Sequence, residues 1–209
     1  MSSFVDLDNK LTPTDRIAEL AIDDSDLLKE LLNGVGPQSQ KSARRENCSQ
    51  ALMYMAETWP EILLPHWDYF IQLCKSSNGS SKYVAVYVLA SLTKIDSTGF
   101  FKNSLNDYFA LLDDESVMVA SHAALNTAKI AGNCPALSTE IVRRLLQIDQ
   151  THHDPGHLAL VKAYIIEALD ALYPSSAIQV EIMEFVKAQL QAPSPKTMKL
   201  AKAFLKKWQ

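Results

Sequence analysis

Apolar residues recur along this chain at spacings of three and four. Val84, Val88, Leu89, Leu92 and Ile95 form one stripe. Ile141, Leu145, Leu146 and Ile148 form a second, and Ile178, Ile182, Phe185, Val186 and Leu190 a third. A period near 3.6 is that of an amphipathic α-helix with one buried face. No segment sustains the two-residue alternation of a half-buried strand. Tyr83–Val88 comes nearest, but its apolar positions continue at helical spacing to Ile95. The pattern predicts an all-α chain, with helices over 13–22, 25–34, 39–58, 61–75, 82–96, 101–113, 116–131, 138–149, 156–173, 176–191 and 195–208.

The breaks between these segments have their own chemistry. All six glycines and eight of the nine prolines lie at segment edges, because both are costly inside a helix. Pro65 falls inside 61–75, where it either kinks the helix or starts it afresh. Thr12-Pro13-Thr14-Asp15, Asp154-Pro155 and Ser194-Pro195 each offer a capping oxygen followed by proline at the first helical position. Ser176 and Gln179 have the spacing of a capping box. The stretch Ser76–Ser81 reads as a mobile loop.

The helices repeat. Asp68-Tyr69-Phe70, followed by Leu73, returns 39 residues later as Asp107-Tyr108-Phe109, followed by Leu112. In the next helix of each unit, Val84, Val88, Leu92 and Ile95 correspond to Val119, Ala123, Thr127 and Ile130. The same register yields Cys48, Leu52, Ala56 and Trp59 upstream. Downstream it yields Val161, Ile165, Leu169 and Leu172, then Thr197, Ala201, Leu205 and Trp208. About five units of two helices therefore cover residues 24–209, with 1–23 as an N-terminal capping segment. A unit of this size cannot bury its apolar face alone, so neighbours stack into a continuous core. The expected architecture is a right-handed α-α superhelix, an α-solenoid of about five helix pairs in a single domain spanning 1–209.

The stretch Leu111-Leu112-Asp113-Asp114-Glu115-Ser116-Val117-Met118-Val119, with Ala123 and Ala124, resembles a HEAT repeat. In that family two leucines end the first helix, acids occupy the turn, and a valine and alanines pack the second helix. The resemblance is fair over 67–95 and weak elsewhere. The family also places arginine or lysine directly after the valine, to pair with the turn acid. Here those positions are Ala85 and Ala120, and only Lys162 keeps a cation. The family's ladder is therefore absent, and an armadillo-like solenoid stays open beside a HEAT-like one.

Composition narrows the function. With 47% hydrophobic and 21% charged residues the chain is an ordinary globular one, and its net charge of −4 counts against nucleic-acid binding driven by charge. Cys48, Cys74 and Cys134 are too few and too scattered for a disulfide framework; they fit a reducing, cytoplasmic setting. The first thirty residues carry eight acids, three bases and no apolar segment, so no signal peptide is expected. No apolar run approaches the roughly 18–20 residues of a membrane span.

Candidate chemistry is sparse. His152, His153 and His157, with Asp154 among them, are weak metal-ligand candidates; a polar turn in which Asp154 caps the next helix accounts for them better. No histidine precedes a glutamate, unlike the repeated His-Glu pairs of HEAT-like di-iron hydroxylases. Trp67-Asp68 echoes HEAT-like DNA glycosylases, which line a basic concave surface with tryptophan, aspartate and arginine. Five arginines and an acidic balance argue against that reading, and Trp67 is expected to pack. There is no glycine-rich phosphate loop and no Gly-x-Ser-x-Gly elbow. Cys48 and Cys74 fall at core positions, and Cys134, before Pro135, reads as a surface thiol. No catalytic residue and no cofactor are expected.

A solenoid presents the second helix of each unit along its concave face. One column of that face reads Ala51, Tyr87, His122, Tyr164 and Leu200. A second reads Met55, Ser91, Asn126 and Ala168, and a third Thr58, Lys94, Lys129 and Ala171. Tyr87, His122, Tyr164, Asn126, Lys94 and Lys129 are the binding candidates, with the tyrosines as anchors. The expected function is non-enzymatic: a scaffold or adaptor, monomer or weak dimer, that binds a protein or peptide. The alternative is an enzyme or nucleic-acid-processing factor of the glycosylase kind. The ends differ in charge, with net −5 over residues 1–30 and six lysines without an acid from Lys187 onward. Lys196, Lys199, Lys202 and Lys206 line one side of the last helix and read as the polar face of a terminal repeat, or as a site for an acidic partner or membrane surface.

Overall fold

A computed structural model describes residues 5–9 and 11–208. Among these there is no strand. The helices are α1 (Thr14–Asp23), α2 (Ser25–Gly34), α3 (Ala43–Thr58), α4 (Pro60–Leu63), α5 (Trp67–Cys74), α6 (Gly79–Leu92), α7 (Phe100–Phe109), α8 (Val117–Asn133), α9 (Ser138–Leu146), α10 (Pro155–Leu172), α11 (Gln179–Ala188) and α12 (Pro195–Trp208). After α1 they fall into the five expected pairs, α4 and α5 together serving as one first helix. The chain packs as two compact units, residues 1–101 and 102–209. In the first, α3 packs against α1, α2 and α6; in the second, α10 packs against α8 and α12.

The repeat register sets burial. All twenty positions of the register are buried except Trp59, Ile95 and Trp208, which are partly exposed. Ala85 and Ala120, which take the place of the HEAT-type cation, are completely buried. A charge there would lose its water without a partner, so the ladder cannot form. One rung survives, where the Lys162 ammonium lies 2.6 Å from Asp149 Oδ1. The two Asp-Tyr-Phe motifs use their tyrosines differently. Tyr69 donates its hydroxyl to the Leu32 carbonyl of α2 at 2.5 Å. Tyr108 donates to the Ala123 carbonyl of α8 at 3.1 Å.

Several boundaries differ from the sequence reading. Pro65 starts the helix afresh, with a 3-10 turn over Leu64–His66 separating α4 from α5. The third helix begins at Ala43 instead of residue 39, capped by Ser42, whose hydroxyl accepts from the Arg45 amide. The Ser76–Ser81 stretch is half helix. Asn78 caps α6, and Ser81 is buried in its first turn, donating to the Val35 carbonyl at 2.8 Å. Asp154 and Ser194 cap as expected. Thr12 does not: it donates to the Asp6 carbonyl, and Pro13 takes the cap position of α1. Ser176 and Gln179 form no capping box, because α11 starts only at Gln179. Gly99, at φ 79°, makes the left-handed turn into α7, and both Asp96 carboxylate oxygens accept from its first amides. Of the expected capping segment 1–23, residues 1–4 and Lys10 lie outside the described residues. Its Leu7 is buried, and the Asn47 amide donates to the carbonyls of Leu7 and Asn9.

The packing of α2 on α3 is tight at one point. A Cβ on Gly34 would meet Cys48 Sγ at 2.4 Å and Cβ at 2.9 Å. Gly34→Ala in a helix would normally gain up to about 1 kcal/mol. Here overpacking of about 1–3 kcal/mol outweighs that gain, so the substitution destabilises. Urea unfolding is expected to show the loss, reduced in a Cys48→Ala background where the sulfur is gone. A neutral or stabilising Gly34→Ala contradicts this packing.

Candidate binding surface on the second helices

The second unit brings part of the expected column together. His122 on α8 and Tyr164 on α10, both half-buried, have ring centroids 5.5 Å apart at a tilt of 51°. Lys196, in the first turn of α12, lays its ammonium 3.5 Å from the centre of the Tyr164 ring and 3.3 Å from Glu167 Oε1. Three successive second helices thus contribute one ring or cation each. A cation over a tyrosine face holds both groups in place, by roughly 0.5–1 kcal/mol at an exposed site. Burial pushes the His122 pKa down, and the Lys196 charge lowers it further against the opposing pull of Glu167.

The other candidates are placed differently. Tyr87 is half-buried on α6 in the first unit, its ring 4.9 Å from that of Tyr83. Lys94 is exposed in the 3-10 turn after α6, and Lys129 is half-buried on α8. Asn126 is only 8% exposed and donates its amide to the His122 carbonyl, so it holds the helix more than it faces a partner. The whole second column is buried: Met55, Ser91, Asn126 and Ala168. Sequence reasoning assigned Lys196 to the solvated side of the last helix and missed its place against Tyr164. The available signal was its position one helical turn ahead of Leu200, in the first column.

The histidine turn does not converge on a point. His152 takes Asp113 twice, its amide donating to Oδ1 at 2.6 Å and its Nδ1 lying 2.5 Å from Oδ2. His153 Nε2 lies 2.8 Å from the Leu112 carbonyl, and His157 Nδ1 2.6 Å from Asp154 Oδ2. Among the described residues no group of three metal-ligating side chains forms. The contacts to Leu112 and Asp113 make this turn a clasp between the 3-10 turn before α8 and the loop before α10, while His157 pairs with the cap of its own helix. Burial raises the Asp113 carboxyl, but the hydrogen bonds from His152 and the charges of His152 and His153 together outweigh it and hold it below the ordinary aspartate value.

Two further candidates are closed in. Trp67 is 2% exposed, stacked on Phe100 with centroids 5.8 Å apart and edge-on to Phe101, which leaves no open face for a base. Burial pushes the Cys48 thiol up to about 11, far from the range of a nucleophile at neutral pH. Cys74 is also buried, and Cys134 is partly exposed.

A designed armadillo repeat protein, YIII(Dq)4CqI, superposes with a TM-score of 0.51 at 13% identity, covering 96% of this chain and 97% of its own. The chain therefore has an all-α helical-repeat fold like that of armadillo repeat proteins. No protein-family model matches the sequence, and no curated protein matches it. No helix among the described residues is long and apolar enough to cross a membrane.

The Asp113 clasp has a pH signature. A carboxyl ionised more readily in the folded state adds stability above its unfolded pKa, and that stability is lost as pH falls through the lowered folded value. Asp113→Asn is expected to cost about 0.5 kcal/mol at neutral pH, the scale of an exposed pair. In urea unfolding across a pH series, the gap to wild type should close as pH falls through the lowered folded value of Asp113. A gap independent of pH contradicts the clasp.

Proposed function

We propose that this protein is a non-enzymatic scaffold or adaptor that binds a protein or peptide on the face formed by its second helices. The observation that carries the reading is the strip His122, Tyr164 and Lys196, one group from each of α8, α10 and α12. Rings fixed before binding lose little entropy on contact, and tyrosine combines a large apolar area with a polar tip. In the first unit Tyr87 offers a comparable ring on α6, and Lys94 an exposed charge in the turn after it. The armadillo-like fold supports the same reading, since stacked helix pairs present an extended surface suited to an elongated ligand.

The test is selection of binding peptides from a random displayed library, followed by affinity measurement on variants. Tyr164→Ala and Lys196→Ala should each weaken selected peptides by about tenfold or more, the effect of losing a hot-spot side chain. Lys102→Ala, on the exposed side of α7, should leave affinity unchanged. Peptides held equally by all variants, or no selected peptide at all, would remove this surface from the account.

A further inference from the structure

Arg45 is the one buried charge among the described residues of the first unit. It sits in the first turn of α3, 6% exposed. Its guanidinium donates only to neutral acceptors: the Ser39 carbonyl, Asn78 Oδ1 at 3.0 Å and Ser81 Oγ at 3.1 Å. Its buried Nε has no acceptor. Among the described residues no carboxylate pairs with it. The neighbouring Arg44 is the opposite, holding Asp8 at 3.1 Å and Glu30 at 2.8 Å. A buried cation without a counter-charge is costly, because its lost hydration is only partly replaced by neutral acceptors.

The surroundings make that imbalance sharper. Arg45 belongs to the first turn of α3, and Asn78 and Ser81 are the cap and first turn of α6. The positive ends of two helix dipoles therefore meet at one guanidinium. The first amides of α3 also lack intrahelical acceptors. Alongside lies a cavity of about 600 Å³ whose wall includes Ser39, Ser42, Arg44 and Arg45. Glu30 is the one acid in that wall, and Arg44 already holds it.

We propose that this cavity at the start of α3 is an oxyanion site that takes a phosphate group against Arg45 and the first turn of the helix. A phosphate supplies up to two negative charges and several acceptor oxygens. It sets a counter-charge beside a guanidinium that has none and accepts from the first amides of the helix. The cavity is large enough for the ion or for a phosphate ester carried on a peptide. The two sources share one chemistry and differ in what surrounds the phosphate.

The experiment follows the Arg45 Nε–H resonance and the Ala43 and Arg44 amides of the ¹⁵N-labelled full chain. Sodium phosphate is titrated against sodium chloride and sodium acetate at equal ionic strength. A phosphoserine peptide and its unphosphorylated form make a second pair of arms. Saturable displacement of all three resonances by phosphate, without a matching effect of chloride, is the expected result. Tighter binding of the phosphoserine peptide assigns the site to an ester, and tighter binding of inorganic phosphate assigns it to the free ion. Shifts that grow without saturating, match those in chloride, or leave the first turn of α3 unmoved would overturn the proposal. Arg45→Lys keeps the charge but loses the fork, and should weaken phosphate about tenfold. If that variant does not fold, the wild-type titration alone decides.

Discussion

The tightest constraint on this chain is that α3 and α10 have helices on both sides. Each is packed between two others of its own unit, α3 by α1 and α6, α10 by α8 and α12. A helix flanked in this way has few directions left for aromatic side chains. Its interior positions become small, as at Ala51, Ala56, Ala159, Ala163 and Ala168, all buried. Aromatic bulk comes from first helices, where Phe70, Phe101 and Tyr108 are fully buried, while α3 and α10 fill the remaining space with Leu52, Met55, Ile165 and Leu169. The same crowding explains why Gly34 meets Cys48 so closely. Lys162 keeps its charge because its ammonium reaches the edge of the packing, where Asp149 is exposed to water.

The repeat was legible in the sequence because its signal is periodic and local. Twenty register positions were placed from spacing alone, and only the three near helix ends are partly exposed. Caps were legible at Asp154 and Ser194, where an oxygen precedes proline at the first helical position, but not at Thr12, whose hydroxyl turns to the Asp6 carbonyl. The start of α6 was not. Ser-Ser-Asn-Gly-Ser-Ser has the composition of a loop, yet Ser81 is buried by a bond to Val35 and by Arg45, far away in sequence. A tertiary partner of that kind leaves no mark in a local pattern. The 3-10 turns that end many helices were likewise merged into them, because three further residues hardly change a helical period.

The candidate surface was partly legible for a geometric reason. Residues four apart on a helix differ by about 40° in direction, so a column one turn along drifts toward the core. That drift buries Asn126 while His122 stays half-exposed. Lys196 was hidden because its partner ring lies on another helix. Side chains that bridge helices recur through the molecule: Lys196 on Tyr164, His152 on Asp113, and Arg45 on Asn78 and Ser81. Each joins one repeat to the next, so each belongs to both the stability of the stack and the surface it presents.

Native-state amide hydrogen exchange tests the central claim most directly. Helices flanked on both sides should open only with their whole unit, whereas helices on the outside can open alone. The account predicts the slowest exchange in α3 of the first unit and α10 of the second, with α2, α9 and α11 exchanging faster. Equal protection of α9, α10 and α11, or faster exchange in α3 than in α2, would contradict it.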